Sequence, residues 1–166
     1  MAENDTSSLT PKGRMEAVEK ILDEYETALG LPRFQEDYVG ESEVTTYIEM
    51  DRRSMEKLTL EDCAEIAIAL DQFAFHLQRA VNRENARVNW ATDLLKEMIS
   101  GRECQYQGSW DSQFHQAVKG DAFTRQVAKI QRYAQQRSDR ITYLANAVRN
   151  RSNLFINLQK AKVMKG

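Results

Sequence analysis

The sequence predicts an all-α protein: a long antiparallel helical hairpin of coiled-coil type, with an N-terminal helix and an extended arm, assembled as an oligomer. Three observations carry that expectation. Proline occurs only at positions 11 and 32 and glycine only at 13, 30, 40, 101, 108, 120 and 166, so residues 41–100 and 121–165 contain no helix breaker. Apolar residues in both stretches recur at alternating steps of three and four. Charge is segregated as well: residues 1–59 hold 7 Lys/Arg against 14 Asp/Glu, residues 60–118 hold 5 against 9, and residues 119–166 hold 11 against 2.

Residues 1–9 are polar and read as disordered. Thr10 and Pro11 then supply a cap and a first-turn proline, and Met15, Val18, Ile21, Leu22, Tyr25 and Leu29 mark an amphipathic helix stopped by Gly30 and Pro32. Residues 31–58 are mixed. Within them VTTYIEM, residues 44–50, has strand-like composition and equally suits an extended arm. These first 58 residues form one expected region, an acidic helix and arm, and residues 59–166 form the hairpin.

Thr59 with Asp62 resembles a capping box opening a helix over 60–99, about 60 Å long at 1.5 Å per residue. Its seam reads Cys63, Ile66, Leu70, Phe73, Leu77, Ala80, Glu84, Arg87, Ala91, Leu94 and Met98, closing at Ser100-Gly101. The glycine-bounded segment 101–120 reads as a connecting loop. Asp121 caps a second long helix with the seam Val127, Ile130, Ala134, Arg137, Ile141, Leu144, Val148, Arg151, Phe155 and Leu158. A symmetric turn near residue 110 sets Glu84 near Arg137 and Leu70 near Arg151; alternatively, the seam arginines reach outward to water.

Ala67, Ala74, Val81, Val88 and Leu95 form a second apolar line on the first long helix, as do Ala147, Leu154 and Ala161 on the other. That is wider than one partner helix covers, so subunit contacts are expected through Val81, Val88, Leu95, Ile141, Leu144, Val148, Leu154 and Phe155.

The start MAENDTSSLTP lacks the apolar core of a signal sequence, and no stretch approaches the roughly 20 apolar residues of a membrane span. Two cysteines, 63 and 104, without metal-type spacing suit a reduced, cytoplasmic protein. Phosphate-binding glycine loops, HExxH and GxSxG are absent, and neither His76 nor His115 has an obvious nucleophile beside it. The expectation is a non-enzyme with no cofactor or metal.

The basic third carries the functional signal. Arg125, Lys129, Arg132, Gln136 and Arg140 share one helix face, and Arg149, Asn153, Ile156 and Lys160 continue a polar strip, with Lys162 and Lys165 beyond. Cations one helical turn apart, about 5 to 6 Å, suit the phosphates of an extended single strand. Tyr106, Trp110, Phe114, Tyr133 and Tyr143 offer stacking faces. Two other readings stay open. Charged outer faces keep long helices soluble, and the acidic N-terminal part can neutralise the basic one.

The run KIQRYAQQRSDRITYLANAVRNRSNLFINLQKAKVMKG, residues 129–166, resembles the last helix of bacteriophage UvsY-type recombination mediators in its aromatic, Leu, Ile and NR punctuation and its final Lys and Gly. A long helix closing on Ser100-Gly101-Arg102 is similar to the family's helix-loop-helix order, so the resemblance spans residues 60–166. It implies an all-helical, non-enzymatic, ring-forming protein that binds single-stranded DNA and loads a recombinase against single-strand-binding protein, in the host cytoplasm if phage-encoded. One departure stands out. Where family members carry a basic LKAR-like patch, this chain has Thr92-Asp93-Leu94-Leu95-Lys96, which leaves Lys96 and Arg102 as stand-ins. The expected DNA contacts are therefore Arg125, Lys129, Arg132 and Arg140, then Arg149, Lys160 and Lys162. The competing expectation is a structural assembly or adaptor protein whose charges pair between subunits; a DNA-mimicking inhibitor has the acidic third in its favour but no sustained helix to carry it.

Overall fold

A computed structural model of the chain describes residues 10–101 and 105–164. Among them are six helices and no strand: α1 (Pro11–Ala28), α2 (Glu41–Glu49), α3 (Arg52–Lys57), α4 (Leu60–Ser100), α5 (Trp110–Gly120) and α6 (Ala122–Val163). The expectations for residues 1–9 and for Arg102 and Cys104 lie outside the described residues.

Helix starts follow local chemistry. The Thr10 hydroxyl accepts from the Gly13 amide at 3.1 Å, with Pro11 in the first turn. Thr59 and Asp62 form a reciprocal box: the Asp62 carboxylate accepts from the Thr59 amide at 2.7 Å, and the Thr59 hydroxyl from the Asp62 amide at 3.1 Å. Those bonds hold the Asp62 carboxyl below the usual carboxylate range. Asp121 caps α6 by accepting from the Thr124 amide at 2.9 Å.

Two segments depart from the sequence expectation. The arm expected to be extended is helical as α2 and α3, and the expected loop 101–120 ends in α5. In α2, a glycine at φ 102° begins the helix, and Val44 and Tyr47, three residues apart, both turn into the core. Burial of this face overrides the strand-like composition of VTTYIEM.

Contacts divide the chain into two units, residues 1–34 with 82–138 and residues 35–81 with 139–166. In the first unit, Ala91, Leu95, Val127 and Ala128 form a core, with Trp90, Phe114, Phe123 and Ile130 against it. A second cluster joins Ile99, Tyr106 and Ala117. Here α4 and α6 run in opposite senses, Thr92 meeting Gln131 and Asn85 meeting Ser138. Glu84 and Arg137 pair at 2.9 Å, as the expected register requires. Ion pairs join helix α1 to α4, Glu19 with Arg87 and Asp23 with Arg83. Met15 and Val18 are half-buried, whereas Ile21, Leu22, Tyr25 and Leu29 are exposed.

The second unit is built on Val44, Ile66, Ala67, Leu70, Ala74, Val148 and Phe155, with Tyr38, Tyr47, Met50, Met55 and Phe73 packed around them. The Ser152 hydroxyl donates to the Ala67 carbonyl at 3.0 Å, and the Gln159 amide to that of Leu60 at 3.2 Å. His76 packs against Tyr38, ring centroids 5.2 Å apart, and near Phe73.

The seam of α6 differs from expectation in one of its two lines. Val127, Ala134, Val148 and Phe155 are buried as expected, but Leu144 is 54% exposed. The inward line beside them is instead Thr124, Gln131, Ser138, Ala145, Ser152 and Gln159, each seven residues apart. Small or hydrogen-bonding side chains let the backbones approach where leucine would not fit. Replacing Ser152 with Leu should therefore cost about 1 to 3 kcal/mol in urea unfolding, while Leu144→Ser should stay within about 0.5 kcal/mol.

Burial, helped by the charge of Arg79, pushes the His76 imidazole below its ordinary value, against a hydrogen bond that the ring donates to the Glu36 backbone, which raises it. As pH falls below about 6.5 the unfolded chain takes up the proton first, so stability drops from there downward. Between about pH 7.5 and 5 the parent should lose more stability than His76→Gln; equal losses in paired urea titrations would exclude this contribution.

Candidate nucleic-acid interface

Apart from Arg137, which pairs with Glu84, the cations of α6 fall into two groups. The first group ends short helices. Arg125 donates through Nε to the Val118 carbonyl at 3.2 Å and through a terminal nitrogen to that of Lys119 at 3.0 Å, at the C-terminal end of α5. Arg151, expected opposite Leu70, donates to the carbonyls of Tyr47 and Met50 at the end of α2, and its guanidinium lies 5.4 Å from the Phe155 ring centroid. Lys162 donates to the Glu56 carbonyl at 2.9 Å, in the last turn of α3. Each satisfies carbonyls that a helix end leaves without partners, and each places positive charge at the negative end of the helix dipole.

The second group faces solvent. Arg132 in the first unit and Arg140, Arg149 and Lys160 in the second are exposed and, among the described residues, in no ion pair. Lys129 is exposed with Nζ 5.7 Å from the Tyr133 ring centroid. Lys96 lies 4.0 Å from Asp93 across an exposed helix face, a weak pairing. Arg102 lies outside the described residues.

Of the five aromatic candidates, Tyr106 is buried and Phe114 half-buried in the cores of the first unit. Trp110, Tyr133 and Tyr143 are exposed, Tyr133 at 47%. The stacking faces accessible to a base thus exclude the two that cap the local core.

The residues expected at subunit contacts also divide. Val81, Leu95, Val148 and Phe155 are buried within the chain's own units, and Val88 and Ile141 are half-buried. Leu144 and, at 44% exposure, Leu154 face solvent, so any contact through this set rests on those two.

The charge balance within each unit is close. The first holds 13 Lys/Arg and 13 Asp/Glu, and the second holds 10 and 12. Glu84, 6% exposed, accepts from both Arg137 and Arg87, and Arg87 is further bonded to Glu19. Those partners push the Arg87 guanidinium up even against its burial. Much of the segregated charge in the sequence is thereby matched inside each unit.

One grouping has no counterpart in the sequence expectation. Lys12 and Met15 of α1 line a cleft of about 280 Å³ with Gln126, Lys129, Ile130, Tyr133 and Arg137 of α6. The α6 members share a face by their spacing, but nothing local in the sequence brings the first turn of α1 to them. In the second unit, burial pushes the Cys63 thiol up despite the nearby Lys162 charge, and its side chain packs as a small apolar group.

No helix among the described residues is long and apolar enough to cross a membrane. Compared with known proteins, the chain matches no family model, no curated protein and no solved structure.

The two groups of cations should separate in stability measurements. Arg125→Ala should lower the unfolding free energy by about 1 kcal/mol through the lost carbonyl bonds, whereas Arg132→Ala should change it by less than about 0.5 kcal/mol. Equal effects in urea titration would mean that the α5 contacts carry no net stability.

Proposed function

We propose that this protein is a non-enzymatic single-stranded DNA-binding accessory factor of the recombination-mediator kind, which helps load a recombinase on a strand covered by single-strand-binding protein. The observation that carries the reading is the solvent-facing group on α6: Lys129 and Arg132 beside exposed Tyr133 in the first unit, and Arg140, Arg149 and Lys160 in the second. Cations exposed on a helix, interleaved with an aromatic ring, combine the two contributions that bind single strands without sequence preference. Arg125 and Lys162 add charge to the same helix while their donors hold α5 and α3.

In this reading α4 and α6 form one antiparallel hairpin, and copies associate through the exposed Leu144 and Leu154 with Tyr143 beside them. A ring of several copies would present many weak phosphate contacts at once, and avidity would offset the weakness of each. The recombinase and the single-strand-binding protein enter through the resemblance of residues 60–166 to phage mediators.

A second reading, a helical adaptor that binds only protein, is favoured by the matched charge within each unit and by the exposed Ile21, Leu22, Tyr25 and Leu29 of α1. The two readings separate in fluorescence anisotropy of a labelled single-stranded oligonucleotide at about 50 and about 200 mM salt, with duplex as competitor. A DNA-binding protein loses affinity steeply between the two salts, roughly a factor of ten for every two phosphates it neutralises. Arg132→Glu with Arg140→Glu should weaken binding at least tenfold, and Leu144→Asp should dissociate the assembly in sedimentation. Absence of binding at the lower salt would place the adaptor reading first.

A further inference from the structure

We infer that the cleft between the first turn of α1 and α6 receives one base of the bound strand, an inference that rests on the single-stranded-DNA reading above. The lining has the chemistry of a nucleotide in complement. Met15 and Ile130 give apolar surface, Tyr133 gives an aromatic face, and the Gln126 amide can both donate to and accept from a base edge. Lys12, Lys129 and Arg137 bring three cations to the same cleft. An apolar side chain would have no use for the cations, and a lone carboxylate would have no use for the ring and the methionine. A flat base attached to a phosphate uses both.

Size and geometry agree with a single base. The cleft, at about 280 Å³, falls just below the roughly 300 to 1,000 Å³ of pockets that enclose drug-sized ligands, so it has room for one ring system. Lys129 Nζ already lies over the Tyr133 ring at 5.7 Å from its centroid. A base stacking on Tyr133 takes that place, and the lysine swings on its flexible stem to the adjoining phosphate. Arg137 is held by Glu84 at 2.9 Å, so its guanidinium is already placed before any strand arrives. Lys12 is exposed beside Glu16, 3.6 Å away, a surface pair that a phosphate can replace at little cost.

This site predicts a dependence on bases that a purely electrostatic surface lacks. The probes are two labelled single strands of equal length, one of mixed sequence and one carrying abasic residues throughout, titrated against the full chain by anisotropy. The parent should bind the mixed-sequence strand roughly tenfold or more tightly than the abasic one, the range expected for stacking of even one base. Tyr133→Ala should abolish that preference without changing the salt dependence, and Tyr133→Phe should keep it. Tyr133 is half exposed, so far-UV circular dichroism should show the same helix content for all three proteins. Equal affinity of the parent for both strands, or a preference that survives in Tyr133→Ala, would overturn the base cleft. If that happens while Arg132→Glu with Arg140→Glu still weakens both strands, DNA binding stands and only the cleft falls. If neither strand binds, both fall together.

Discussion

Three short helices of this protein end on cations of its longest one. Arg151 bonds the terminal carbonyls of α2, Lys162 a last-turn carbonyl of α3, and Arg125 those of α5. Helices of 9, 6 and 11 residues are below the length at which an isolated helix holds in water. Their existence therefore depends on tertiary partners, and a cation at the C-terminal end both satisfies the open carbonyls and opposes the dipole. Part of the basic excess of the last third is thus an internal fastening, while Arg132, Arg140, Arg149 and Lys160 face solvent.

The same helix carries a second constraint along its inward face. Thr124, Gln131, Ser138, Ala145, Ser152 and Gln159 recur every seven residues, and Gln131, Ser138, Ser152 and Gln159 each hydrogen-bond to α4 within their own unit. A seam of leucines tolerates sliding by a heptad, because one large apolar side chain replaces another. A seam of specific donors and acceptors does not: displacement leaves buried polar groups without partners. Glu84 adds to this selectivity. With two arginines bound and little solvent contact, its carboxylate would be strongly destabilised in any register that removed them.

What was legible in the sequence divides along the range of the interactions concerned. Helices α1, α4 and α6 announce themselves because their caps lie within three residues, at Thr10, at Thr59 with Asp62, and at Asp121, and their apolar spacing is sustained. The Glu84–Arg137 pair was legible too, since the two polar interruptions stand at matching distances from the turn. By contrast, α2 and α3 are stabilised by residues about a hundred positions away, and no local pattern reports that; the Arg125 bonds that close α5 span only six and seven positions, but the glycines bounding 101–120 hide the helix. The inward Ser and Gln line has no apolar periodicity to announce it, and apolar periodicity places Leu144 on the seam in place of Ala145. In the candidate site the limit is sharper. Arg125 and Arg132 look alike in a helical pattern, and only the fold separates the one bonded to α5 from the one facing water. The meeting of Lys12 and Met15 with Tyr133 likewise joins residues over a hundred positions apart.

The fastening of α2 and α3 bears on the order in which the chain can close. In the first unit, Thr92 with Gln131 and Glu84 with Arg137 join α4 and α6 residues 39 and 53 positions apart. In the second unit, Ala67 with Ser152 and Glu56 with Lys162 join residues 85 and 106 apart. Loop-closure entropy grows with the logarithm of that separation, so by chain statistics alone the longest of these contacts costs close to 1 kcal/mol more than the shortest. Once the nearer contacts exist, the remaining free loop is shorter and most of that difference disappears. Topology therefore favours a zipper that begins beside the 101–109 connection and proceeds toward the chain ends, with the short helices of the second unit fastened last.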